Sequence, residues 1–157
     1  MKTLQLSESK ARSLYKNGSD EFKVLLEESF GKSFFSQSVT ERIRTYEDVC
    51  IELGESPIDE VALRKLGLNN NDIAYMKLTQ IVRALNEGWV AKVYDNEDRW
   101  YPWFAHNGSP SAFSFCLSYY VSGYSDAGGG SRLCFRTKEL ATYAGEQFID
   151  LWRESIV

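Results

Sequence analysis

Twelve of the chain's 22 aromatic residues lie between Trp89 and Phe135, among turn-forming residues and including the run Trp100-Tyr101-Pro102-Trp103-Phe104. Aromatic and β-branched residues at a period near two favour strands, so this stretch predicts a β-sheet with an aromatic face. Such a face serves either as core or as a contact surface.

The segments expected to form strands are Trp89 to Tyr94, Arg99 to His106, Ala112 to Val121 and Ser131 to Arg136. Polar turns divide them: Asp95-Asn96-Glu97-Asp98, Asn107-Gly108-Ser109-Pro110 and the loop Ser122 to Gly130. Connections this short favour antiparallel pairing. Alternation in the third strand puts Phe113, Phe115, Leu117, Tyr119 and Val121 on a core face, and Ser114, Cys116, Ser118 and Tyr120 on the other. Leu133 and Phe135 join the core, leaving Arg132, Cys134 and Arg136 with the mixed face. Pro102 has no N–H for a ladder and marks an edge or a bulge.

Residues 1 to 88 read instead as helices with glycine stops. Ser7 caps Glu8 to Lys16, Ser19 caps Asp20 to Phe30, and Thr45 with Asp48 forms a capping box for Tyr46 to Leu53. Ser56-Pro57 opens Ile58 to Leu66, and Asn71 precedes the long helix Asp72 to Glu87. Thr137 caps a last helix, Lys138 to Ser155, whose apolar stripe requires a sheet to cover. The expected architecture is α+β in one domain over 1–157: a helical part (1–88), then a three- or four-stranded antiparallel meander with a C-terminal helix packed on it (89–157).

A chain of 157 residues can bury one sizeable core unaided. Its net charge is −4, with acidic excess in residues 1–60 and balance thereafter, which argues against a duplex nucleic-acid binder. Cys50, Cys116 and Cys134 form no CxxC pair and suit a reduced protein. The first residues turn polar too early for a secretory h-region, and no apolar run reaches membrane-spanning length. These observations predict a soluble cytoplasmic protein.

Catalytic signals are sparse. His106 is the lone histidine, which argues against zinc; its pairing with Asp95, Asp98, Cys116 or Cys134 is the one enzymatic option. Gly128-Gly129-Gly130-Ser131-Arg132 precedes a strand rather than a helix, so a hairpin loop is favoured over a phosphate cradle. Thr45 to Leu66 raises a helix-turn-helix question, but acids at the start of the second helix oppose it. No cofactor or metal is expected.

The segments Tyr101-Pro102-Trp103-Phe104, Ser131-Arg132-Leu133-Cys134-Phe135, Thr137-Lys138-Glu139-Leu140-Ala141 and Gly145-Glu146-Gln147-Phe148 resemble those of uncharacterised small proteins of Bacteroidota genomes and their phages or mobile elements. The stretches from Leu6 to Tyr15, from Phe22 to Phe35 and at Tyr46-Glu47-Asp48 are similar as well. The resemblance implies a bacterial or phage cytosolic setting and no mechanism.

The leading functional expectation is a binding or accessory protein that contacts a macromolecular partner, a protein first of all. Its contact residues would be Tyr101, Trp103, Tyr120, Tyr124, Arg132 and Arg136. Single-stranded nucleic acid on the same face is the alternative, since bases stack on aromatics while arginine meets phosphate.

Overall fold

In a computed structural model, which describes residues 5–125 and 132–157, the chain divides into two compact units, Met1–Pro57 and Ile58–Val157. The first holds α1 (Glu8–Asn17), α2 (Asp20–Phe30), α3 (Lys32–Ser36), α4 (Val39–Arg42) and α5 (Tyr46–Leu53). Ser7, Ser19 and Thr45 each accept a first-turn N–H, and Asp48 returns the capping-box bond to Thr45. Tyr15 stacks on Phe35 at 4.1 Å, and Phe34 meets Phe35 edge-on at 4.9 Å. Arg42 grips Glu52 with two hydrogen bonds, 3.1 Å from Nε and 2.7 Å from Nη2. That planar fork fixes both side chains where a single point charge would not.

The second unit holds α6 (Glu60–Lys65), α7 (Asn70–Leu85), β1 (Arg99–Ala105), β2 (Ser114–Val121), α8 (Lys138–Gln147) and α9 (Ile149–Ile156). Asn69, not Asn71, caps α7, in a box with Asp72. Ile73, Leu78, Ile81 and Leu85 turn the buried stripe of α7 inward, and α7 packs against α9 and α8. The expected single C-terminal helix breaks at Phe148 (φ −111°, ψ 29°). There the Ala144 carbonyl accepts both the Phe148 N–H (3.2 Å) and the Trp152 indole N–H (3.0 Å). A side chain competing for a helical carbonyl is a recognised cause of such a break.

The sheet has two strands, not three or four: β1 and β2 pair antiparallel. Two expected strands are absent for different reasons. Trp89 to Tyr94 bonds locally instead, with the Glu97 carboxylate on the Lys92 N–H (2.8 Å) and a 3-10 turn at Val93–Asp95 running into left-handed Asn96. The described part of Ser131 to Arg136 makes a single bridge, in which Phe135 exchanges both backbone hydrogen bonds with Trp100 (2.8 and 3.0 Å). Its other edge is taken by a side chain. Buried Asn86, at the end of α7, donates from Nδ2 to the Cys134 carbonyl (2.8 Å) and accepts on Oδ1 from the Arg136 N–H (3.0 Å). One amide thus does what a neighbouring strand would do, and Phe135 is held fully buried.

The register shifts between Trp103 and Phe104: Trp103 pairs with Leu117 but Phe104 with Phe115, so Cys116 is the extra residue of a bulge. A bulge reverses which face each following side chain takes. Phe115 and Ser118 therefore both face the helices, whereas Leu117 and Tyr119, expected in the core, are exposed. Ser118 is buried, with its hydroxyl 3.0 Å from that of Thr142 on α8. Pro102 pairs with Ser118 beside this bulge, and its missing N–H falls on the side of β1 away from β2. Phe104 completes the inner face, 5.5 Å from Trp152 and 4.9 Å from Phe113.

Close approach of α8 to the sheet depends on Gly145. A Cβ there would stand 2.6 Å from the Phe115 ring and 2.8 Å from Pro102 Cβ, inside any permissible contact. Gly145→Ala gains about 1 kcal/mol of helix propensity but overpacks by about 1–3 kcal/mol, so a net loss of unfolding free energy is expected in urea titration. Asn86→Ala strands a buried carbonyl and a buried N–H, and is expected to lower it by about 2–4 kcal/mol in the same measurement.

Candidate functional site

The face of the sheet turned away from α8 carries Tyr101 and Trp103 on β1 opposite Tyr119 and Leu117 on β2. Trp103 is 56% exposed, Tyr119 56% and Leu117 46%, so three large apolar side chains sit side by side in solvent. The bulge at Cys116 creates this patch, because it releases Leu117 and Tyr119 from the inner face while Phe115 stays in. Tyr101 is half-buried and hydrogen-bonds to the Cys134 sulfur.

The other residues expected to make contact are exposed but dispersed. Tyr120 lies by alternation on the opposite side of β2, its ring 5.1 Å from that of Trp100. It also lies 5.5 Å from Tyr119, which makes the end of β2 a continuous aromatic border. Tyr124 projects from the loop after β2. Arg136 follows Phe135 and gives its N–H to Asn86, and Arg132 lines a separate cleft with residues of α7. The structure therefore gathers Tyr101 and Trp103 on one face and leaves the two arginines off that face's strands. Gly128-Gly129-Gly130-Ser131 lies outside the described residues.

Sequence reasoning missed the one arginine that does belong to these strands. Arg99 is only 1% exposed, with its Nη1 donating to the Ser125 hydroxyl (3.0 Å) and its Nη2 to the Tyr124 carbonyl. Its Nε has no acceptor among the described residues. Burying a guanidinium is costly, and here it ties the loop after β2 to the start of β1. Alternation was the available signal: Arg99, Tyr101 and Trp103 fall on one side of the strand. Leu117 and Tyr119 were missed because a bulge leaves no compositional mark.

The catalytic option finds no assembled partner. His106 follows the C-terminal end of β1, while Asp98 precedes its N-terminal end and Asp95 lies earlier still. At about 3.3 Å per residue, the strand holds His106 roughly 25 Å from Asp98. The His106 carbonyl accepts from Ser109 N–H (2.8 Å) in the turn that follows. Among the described residues no group of three or more His, Cys, Asp or Glu is placed to hold a metal ion. The helix-turn-helix reading gains nothing either: α5 and α6 fall in different compact units, and Glu60 of α6 is held by Lys77 (2.5 Å) and Arg64 (3.2 Å).

No family model, curated protein or solved structure matches this chain. Among the described residues no helix is long and apolar enough to cross a membrane.

All three cysteines are free, Cys116 exposed and Cys50 and Cys134 buried. Burial pushes the Cys134 thiol up, against the opposing pull of the Arg99 charge and the Tyr101 hydroxyl. A disulfide reagent at neutral pH should therefore modify Cys116 rapidly and the other two only on unfolding. Mass spectrometry of the labelled native protein checks this, with the Cys116 peptide carrying the early adduct.

Proposed function

We propose that this protein is a non-enzymatic binding or accessory protein whose outward sheet face, centred on Trp103, Leu117 and Tyr119, docks a protein partner. The observation that carries this reading is the exposure of those three side chains as neighbours on paired strands. Isolated exposed apolar residues are ordinary, but a contiguous aromatic patch on a rigid element is the usual character of an interface core. Trp and Tyr are also the residues that most often dominate binding energy, because they bury a large area at low entropic cost. Tyr101 at the rear of the patch and Tyr120 and Tyr124 at its margin extend the surface.

Protein is favoured over single-stranded nucleic acid by charge. Arg99 is the single charged residue of β1 and β2, and it is buried. A nucleic-acid platform needs cations interleaved with its aromatics to meet phosphates. The three free cysteines support a reducing, cytoplasmic location. The resemblance to Bacteroidota and phage proteins supports a bacterial or mobile-element setting, in which a host-modulating role by protein contact would fit.

The test is affinity capture from a Bacteroidota lysate with the tagged chain and with Trp103→Ala/Tyr119→Ala, each with and without nuclease. A discrete partner that survives nuclease and is lost with the double variant is the expected outcome. Truncating two such anchors should weaken binding at least about 30-fold. Partners that vanish with nuclease, or that the variant retains, would contradict the reading.

A further inference from the structure

The last turns of α7 and the segment after it enclose a cleft of about 310 Å³, lined among others by Val82, Arg83, Trp89, Val90, Arg132 and Cys134. It lies wholly within the second compact unit. Small-ligand sites are mostly apolar concavities with a few convergent polar groups, and their volumes begin near 300 Å³. This cleft has that composition: an indole, two valines and Ala91 supply the apolar wall, and two guanidiniums supply the polar groups.

Its electrostatics are one-sided. No carboxylate lines the cleft, and Glu97, the acid nearest in sequence to the 89–91 wall, is directed to the Lys92 N–H. A helix C-terminus would ordinarily repel an anion through its free carbonyls. Here those carbonyls are engaged: Val82 O accepts from Asn86 N (3.0 Å), Ala84 O from Glu87 N (3.1 Å) and Asn86 O from Trp89 N (2.9 Å). The Asn86 amide is spent on Cys134 and Arg136, which leaves the arginines as the cleft's charge-bearing groups.

We propose that this cleft binds a small aromatic anion, its ring against Trp89 and its carboxylate or phosphate between Arg83 and Arg132. Arginine suits this role because its planar fork meets both anion types with paired hydrogen bonds and stays charged at any physiological pH. The placement on a rigid helix end fixes Arg83, and the Asn86 clamp on Cys134 and Arg136 fixes the strand segment that carries Arg132. This inference stands apart from the docking face and does not depend on it.

The experiment titrates the full chain with benzoate, phenyl phosphate and the neutral benzyl alcohol, followed through the indole N–H signal of Trp89 in heteronuclear NMR, assigned with Trp89→Phe. One or both anions should shift that signal at millimolar concentration, and benzyl alcohol should bind roughly tenfold more weakly or worse. Response to benzoate alone would name a carboxylate ligand, response to phenyl phosphate alone a phosphate. Arg132→Gln and Arg83→Gln should each weaken the anions by roughly tenfold and leave benzyl alcohol unchanged. Equal binding of the neutral probe, insensitivity to both substitutions, or no shift with either anion would overturn the assignment.

Discussion

The second compact unit depends on one buried amide. Asn86 reaches from the end of α7 and closes hydrogen bonds on both sides of Phe135, to the carbonyl of Cys134 and the N–H of Arg136. Phe135 spends its own two backbone groups on Trp100. Every polar group of this short segment is thereby satisfied without a third strand, which is what permits it to be buried. Helix α7, strand β1 and the approach to α8 are joined at this point, and the helices that cover the inner sheet face take their places from it. An unmade bond here would leave a donor or acceptor in an apolar interior, a penalty larger than the bond's own net contribution.

From that clamp the two surfaces of the sheet acquire different fates. The inner face is pressed against α8 so closely that only glycine fits at position 145. The bulge at Cys116 adjusts β2 to this contact, keeping Phe115 and Ser118 inward and sending Leu117 and Tyr119 outward beside Trp103. The same local device that lets the core pack therefore produces the exposed patch. A sheet without the bulge would hold Leu117 on the opposite face from Ser118's neighbour Phe115 only by unpacking one of them.

Much of the helical half was legible because capping is local chemistry. Ser7, Ser19, Thr45 with Asp48, and Thr137 each announce a helix start within four residues, and each is found capping. The α+β class followed from the change of period after Gly88. What was not legible depended on distant partners. Nothing near Phe135 in sequence says that Asn86, 49 positions earlier, will occupy a strand's place. A bulge has no residue signature of its own, so strict alternation misplaced Leu117 and Tyr119. Trp89 to Tyr94 has strand-like composition, but the Glu97 carboxylate and the left-handed Asn96 settle its backbone locally. For the candidate surface, Trp103 and Tyr101 were visible from density alone, whereas burial of Arg99 beneath the loop after β2 was not.

The central claim is that Asn86 substitutes for a missing strand and so fixes the sheet that presents the aromatic face. Native-state amide hydrogen exchange, resolved by residue, tests it most directly. The account expects the N–H groups of Trp100, Phe135 and Arg136 to be protected as strongly as Tyr101 and Tyr119 in the β1–β2 ladder, and to open together with it. Rapid exchange at Phe135 and Arg136 alongside a protected β1–β2 pair would contradict it, because the segment would then lie on the sheet without holding it.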